Sequence, residues 1–207
     1  MRDTRWAAAA IFVVSLFAGA QDDTPKPPVS NDPLTAEQIA IYRTVLEDYT
    51  KDGNGVLNVA NRTEPLEQSG VGFDKACFKG IELKTARTSV PILHKLDPAV
   101  VVDKRFTLVD PELQEDKIKE NDPQRLVKSA IDDHQQVTDM QLDESVKRAF
   151  ETGLFTLSEI LFDKQHRHAV VAYSFVCGEL CGNGDLLALT KVGNKWKVIK
   201  KCGGWVS

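Results

Sequence analysis

Four stretches near the C-terminus constrain the fold most tightly. Residues 154–162, 168–177, 185–192 and 195–201 are rich in branched and aromatic side chains, the types that fit a pleated, half-buried surface. They are joined by Asp163-Lys164-Gln165-His166, by a Gly-rich loop, and by Gly193-Asn194. Parallel neighbours need a crossover of a dozen or more residues, so links this short predict an antiparallel β-meander. Gly193-Asn194 is a two-residue hairpin signal, its glycine supplying the positive φ of a primed turn. A meander with one apolar face needs a cover.

The strongest candidate for that cover lies at the other end of the chain. Thr35 with Gln38 makes a capping box, and Leu34 with Ile39 a hydrophobic staple. Ile39, Tyr42, Val45, Leu46 and Tyr49 then share one helical face. Lys51-Asp52-Gly53-Asn54-Gly55 ends the pattern with residues that tolerate a left-handed C-cap. A helix is expected over 35–49, a short strand over 56–60, a helical turn over 91–96, and a strand over 106–109 ended by Asp110-Pro111. Asp122 as N-cap with Pro123 at the first helical position opens a short helix through 131. A last helix over 143–151 is closed by Gly153. The expected fold class is therefore α+β: an N-terminal amphipathic helix and short helices packed on a C-terminal antiparallel β-meander, in a single domain over 34–207.

Residues 1–20 have the pattern of a secretory signal peptide. Arg2 and Arg5 precede an apolar stretch over 6–17, and Ala18-Gly19-Ala20 is a small-x-small cleavage site. The apolar stretch is shorter than the roughly 20 residues a bilayer span requires. Pro25, Pro27, Pro28 and Pro33 mark 21–33 as a Pro-rich tether. No later apolar run is long enough to span, so the chain is expected not to cross a membrane after cleavage and to be exported, to the periplasm or the extracellular space. Its formal net charge of −4 argues against a nucleic-acid partner, which calls for a basic patch.

An exported chain meets an oxidising compartment, and that decides how its four cysteines are read. Cys177-Gly178-Glu179-Leu180-Cys181 with Cys202 and Cys77 is expected to form two structural disulfides. Cys177 with Cys181 is the favoured local pair, leaving Cys77 with Cys202, a long bridge that the loop-entropy model values at about 4–5 kcal/mol. The alternative joins Cys177 or Cys181 to Cys202. Two functional readings compete. A thiol-redox site at Cys177 and Cys181 would want C-x-x-C at a helix N-terminus, whereas this spacing is C-x-x-x-C between strands. A zinc site could draw on Cys177, Cys181 and Cys202 with Cys77 or His168, in a spacing that fits no common knuckle.

Other constellations are weaker. His166 and His168 would share a face on a strand and, with Asp163, could hold a metal or act as acid and base in a hydrolase or metal-dependent enzyme. They flank a charged turn, where a solvated corner is the plainer reading, and His94 and His134 stand alone. Asp52, Asn54, Gly55 and Leu57 echo a calcium loop, but Thr50 and Asn61 occupy positions where the acidic ligands belong. Asp132, Asp133, Asp139, Asp143 and Glu144 form an acidic stretch whose plain reading is a solvated connection, although paired carboxylates do run glycoside hydrolysis. Trp196 and Trp205 suit a core or a sheet face. G-x-S-x-G, H-E-x-x-H, G-x-x-x-x-G-K-[ST] and G-x-G-x-x-G are absent from the sequence, and no cofactor is expected.

Residues 155–163 and 169–175, the run Cys177-Gly178-Glu179-Leu180-Cys181-Gly182-Asn183-Gly184, Lys195-Trp196-Lys197-Val198 and the terminal Trp205-Val206-Ser207 resemble an uncharacterised group of exported bacterial proteins, as do 41–46 and 57–63. The resemblance implies an exported bacterial protein and brings no activity, ligand or catalytic residue with it. The sequence is thus read as a non-enzymatic binding or structural module stabilised by disulfides, its partner a protein, a peptide or an envelope component met through the sheet or the Gly-rich loop.

Overall fold

The computed structural model describes residues 27–53, 55–66, 78, 81 and 92–207. Thr35 caps the first helix, α1 (Ala36–Thr50): its hydroxyl accepts from the Gln38 N–H at 3.2 Å, and the Gln38 side-chain carbonyl accepts from the Thr35 N–H at 2.8 Å. Ile41, Tyr42, Val45 and Leu46 on its inner face are completely buried. They lie in one cluster with Phe155, Leu157, Val171 and Tyr173 of the sheet. Tyr42 OH donates to the Ser158 carbonyl at 3.1 Å, so the buried phenol is satisfied.

The strands in chain order are β1 (Val29–Ser30), which precedes α1, and β2 (Leu57–Ala60), β3 (Leu93–His94), β4 (Phe106–Val109), β5 (Leu154–Leu157), β6 (Leu161–Phe162), β7 (His168–Gly178), β8 (Cys181–Val192), β9 (Lys195–Lys201) and β10 (Trp205–Val206), which follow it. β1 and β3 form a parallel pair of their own. The main sheet runs β10-β8-β7-β5-β2-β4, with β6 on β7 and β9 on β8. β7, β8 and β9 are the expected antiparallel hairpins. Gly193 carries φ +61° in the β8–β9 turn, and it is the only one of the two turn residues with positive φ, the arrangement of a II′ turn. The fold is α+β.

The structure corrects the expectation in several places. The sheet is mixed, because β2 is parallel to both β4 and β5; residues 61–105 make the long crossover from β2 to β4, and three helices lie in the connection from β4 on to β5. The strand expected over 154–162 breaks after Leu157. Ser158 Oγ accepts from the Ala172 N–H, and the Glu159 N–H turns away to the Glu64 carbonyl. The expected Gly-rich loop is strand: β7 and β8 pair out to Gly178 and Cys181, leaving Glu179-Leu180 as the turn. Gly182 and Gly184 serve instead as a floor for Trp205, since a Cβ on Gly184 would sit 2.4 Å from its indole nitrogen. Leu93–His94 is strand rather than helical turn, because the His94 N–H is taken by Thr63 Oγ1 and Glu159.

Two helix boundaries also differ. Asp110-Pro111 does more than end a strand. Asp110 Oδ1 accepts from the Glu112 and Leu113 N–H groups and opens α2 (Pro111–Glu120), the same device that opens α3 (Pro123–Asp132) from Asp122. The last helix, α4 (Asp139–Thr152), starts earlier than expected because Thr138 and Gln141 make a second capping box. α1 covers one face of the sheet. On the other, Ile118 of α2 meets Ala60 and Leu154, and Leu66, Phe78 and Ile81 cover Val170, Ala172 and Leu186. α3 and α4 sit at the end of the sheet where the β7–β8 hairpin turns.

Candidate functional site

At that end lies an apolar groove of about 730 Å³, walled by α3, α4 and the hairpin tip. Its floor is Phe175 and the Cys177–Cys181 disulfide, whose Cα atoms are 5.0 Å apart. Leu142, Val146 and Phe150 recur at four-residue spacing along α4, and Phe150 stacks on Phe175 with ring centroids 5.9 Å apart. Val127 and Ile131 of α3 face them, and Leu180 closes the tip. These side chains stay largely open: Ile131 is 68% exposed, Phe150 53% and Leu180 71%.

One carboxylate sets the position of the two walls. Asp122 is buried, accepting from the Gln124 N–H of α3 through Oδ1 and from the Glu179 N–H of the hairpin turn through Oδ2, each at 2.9 Å. Gly178 permits the approach, since a Cβ there would lie 3.0 Å from Asp122 Oδ1. On the inner side, Asn183 Nδ2 donates to Tyr49 OH at 3.4 Å. Tyr49 packs against Phe155 and Tyr173, and burial pushes its phenol up.

The residues singled out in the sequence fall in three separate places. Cys177 and Cys181 are bonded to each other on the groove floor, which occupies both sulfurs. Cys202 is buried on the opposite face of the sheet and is also disulfide-bonded; Cys77 lies outside the described residues. His168 stands nine positions before Cys177 on β7, roughly 30 Å away, so the zinc set that included it is not brought together. Of the calcium-loop residues, Asn54 is outside the described set. Among the described residues, no three of His, Cys, Asp and Glu are grouped so as to hold a metal ion.

His166 and His168 do not share a face as expected. His166 sits in the turn at φ +53°, stacks on Phe162 and lies 3.2 Å from Glu37 of α1. His168, the first residue of β7, points Nδ1 at Asp163 Oδ2, 2.9 Å away. Each carboxylate is drawn into holding the fold. Burial works to raise Glu37, but Lys191 and His166 outweigh it and hold the group below its usual range. Burial likewise opposes Asp163, whose bonds from His168 and the Arg167 N–H win. Asp132, Asp133, Asp139, Asp143 and Glu144 are exposed along the end of α3 and the start of α4.

No protein-family model, curated protein or solved structure matches this chain. The geometry alone therefore carries the reading. A second, more polar cleft of about 450 Å³ lies between α2, β5 and β7, and the sequence reading missed it. Thr156 and Ser174 hydroxyls meet there at 2.7 Å, and the Glu64 carboxyl beside them is pushed up by burial and by the charge of Glu115. The apolar groove was also missed as a site, although its signal was present in the i, i+4 spacing of Val127 and Ile131 and of Leu142, Val146 and Phe150.

Proposed function

We propose that this chain is an exported binding module, non-enzymatic and braced by disulfides, that holds an apolar ligand from the cell envelope in the groove between α3, α4 and the β7–β8 turn. The observation that carries the reading is α3. It is a ten-residue amphipathic helix with no buried residue, and a helix that short owes its stability to packing of its apolar face. An uncovered apolar stripe lined up with other exposed apolar side chains marks a binding surface. Its volume and sparse polar groups suit a small apolar ligand. The resemblance to exported bacterial proteins is part of the same proposal.

The test is titration with a neutral apolar fluorophore such as Nile red. Saturable binding that is lost in Ile131→Asp supports the groove; this position is exposed, so the substitution leaves folding intact. A protein that binds no probe, or binds it equally well with Asp at 131, refutes it.

A further inference from the structure

Among the described residues, the groove has two charged side chains in its lining, and they are in different states. Asp122 has both oxygens engaged by backbone N–H groups of its own fold. Lys128 faces the groove, and among the described residues no carboxylate lies within ion-pairing distance of it. One turn earlier on α3, Gln124 also lines the groove, and its side-chain amide likewise has no hydrogen-bond partner among the described residues. Residues four apart on a helix are neighbours, with Cβ atoms about 5–6 Å apart. Two unspent N–H donors, one of them cationic, therefore stand side by side at the lip of an apolar trough.

Resting on the groove reading above, we propose that the ligand is a fatty acid. Its carboxylate accepts from Lys128 Nζ and Gln124 Nε2, one oxygen each. Its hydrocarbon lies between Ile131 and the α4 wall, which runs about 12 Å from Leu142 to Phe150, and over the disulfide. Charge favours an anion: among the described residues of the lining, Lys128 is a cation with no ion-pair partner, the Ser207 terminus included, and the side-chain carboxylate present, that of Asp122, is taken up by backbone N–H groups. Shape decides against a second copy of this chain. A twofold contact sets a patch against itself, and two concave troughs leave a void where a convex occupant would fill one.

The test is calorimetric titration of the protein with saturated fatty acids from octanoate to palmitate, below micelle formation, alongside the alcohols of equal chain length. Binding is expected to strengthen by up to about fourfold per added methylene until the α4 wall is covered, then level off. Each acid is expected to bind about tenfold more tightly than its alcohol, as a charge-assisted hydrogen bond implies. Lys128→Gln, a surface change, should abolish that preference while leaving alcohol binding unaltered. Acids and alcohols that bind equally well, with Lys128→Gln inert, overturn the fatty-acid proposal and leave the groove reading intact. No binding of either series, together with failure of the neutral probe, overturns both. A dimer in sedimentation that Ile131→Asp dissolves, with no fatty-acid binding, assigns the groove to self-association and overturns the proposal too.

Discussion

Replacing Asp122 with alanine should loosen the whole end of the molecule that forms the groove. The carboxylate caps α3 through the Gln124 N–H and holds the hairpin turn through the Glu179 N–H. Losing an N-cap costs about 1 kcal/mol. Losing a charge-assisted hydrogen bond to a partly buried N–H costs about 1.5–3 kcal/mol. Asp122→Ala should therefore destabilise by about 3 kcal/mol in urea denaturation, and lower Tm by roughly 6–12 °C for a chain of this size. Asp122→Asn keeps one acceptor and should lose about half as much. Gly178 provides an internal check, because its Cβ position clashes with the Asp122 carboxylate itself. Gly178→Ala should cost less in the Asp122→Ala background than alone, with a coupling above about 0.5 kcal/mol. A cost for Asp122→Ala below about 0.5 kcal/mol, or strict additivity of the two changes, would refute the claim that this carboxylate joins the two walls.

Further outcomes follow from other sites. Glu64 has its folded pKa raised by burial and Glu115, so the fold binds its proton more tightly than the unfolded chain does. Its contribution to stability is then greatest at acid pH and falls as pH rises through the folded value. Glu64→Gln should raise Tm at pH 7 and lose that gain near pH 4, read by thermal melts at both; an equal gain at both would contradict the assignment. Glu112, held at about 2 by Arg62 and its own N-terminal position in α2, works the other way. Its support is present above the ordinary carboxylate range and lost as pH falls toward 2, and Arg62→Ala should move its NMR-detected titration upward. Removing the Cys177–Cys181 bridge as the double alanine variant frees a loop of about five residues, worth about 2 kcal/mol by chain entropy, measured by urea denaturation under oxidising conditions. Gly184→Ala should push the Trp205 ring off the strand and red-shift tryptophan fluorescence.

What the sequence made legible was local. The Thr35–Gln38 box, the Asp122-Pro123 start and the Gly193 turn each act within a few residues, and each sits where the side chains predict it. The β2–β4 and β2–β5 pairings were hidden because they join strands far apart in sequence, and nothing in 57–60 records which neighbour it will meet. Ser158 and Glu159 read as strand because their diversion depends on Glu64, His94 and Ala172, which only the folded chain brings near. Asp110-Pro111 carried the same start signal as Asp122-Pro123, but the strand before it drew the reading to a stop. The groove is the most instructive case. The apolar spacing of α3 and α4 was visible, yet whether such a face is covered is a property of the packed molecule, not of the helix.

The central claim is that this face takes an apolar ligand. The most direct measurement is an amide NMR titration of the isotopically labelled protein with a neutral apolar probe. The account predicts saturable shifts concentrated at Val127, Ile131, Val146, Phe150 and Leu180, with residues of the polar cleft such as Glu64 and Thr156 unmoved. Shifts centred on that cleft, spread evenly over the surface, or absent would contradict it.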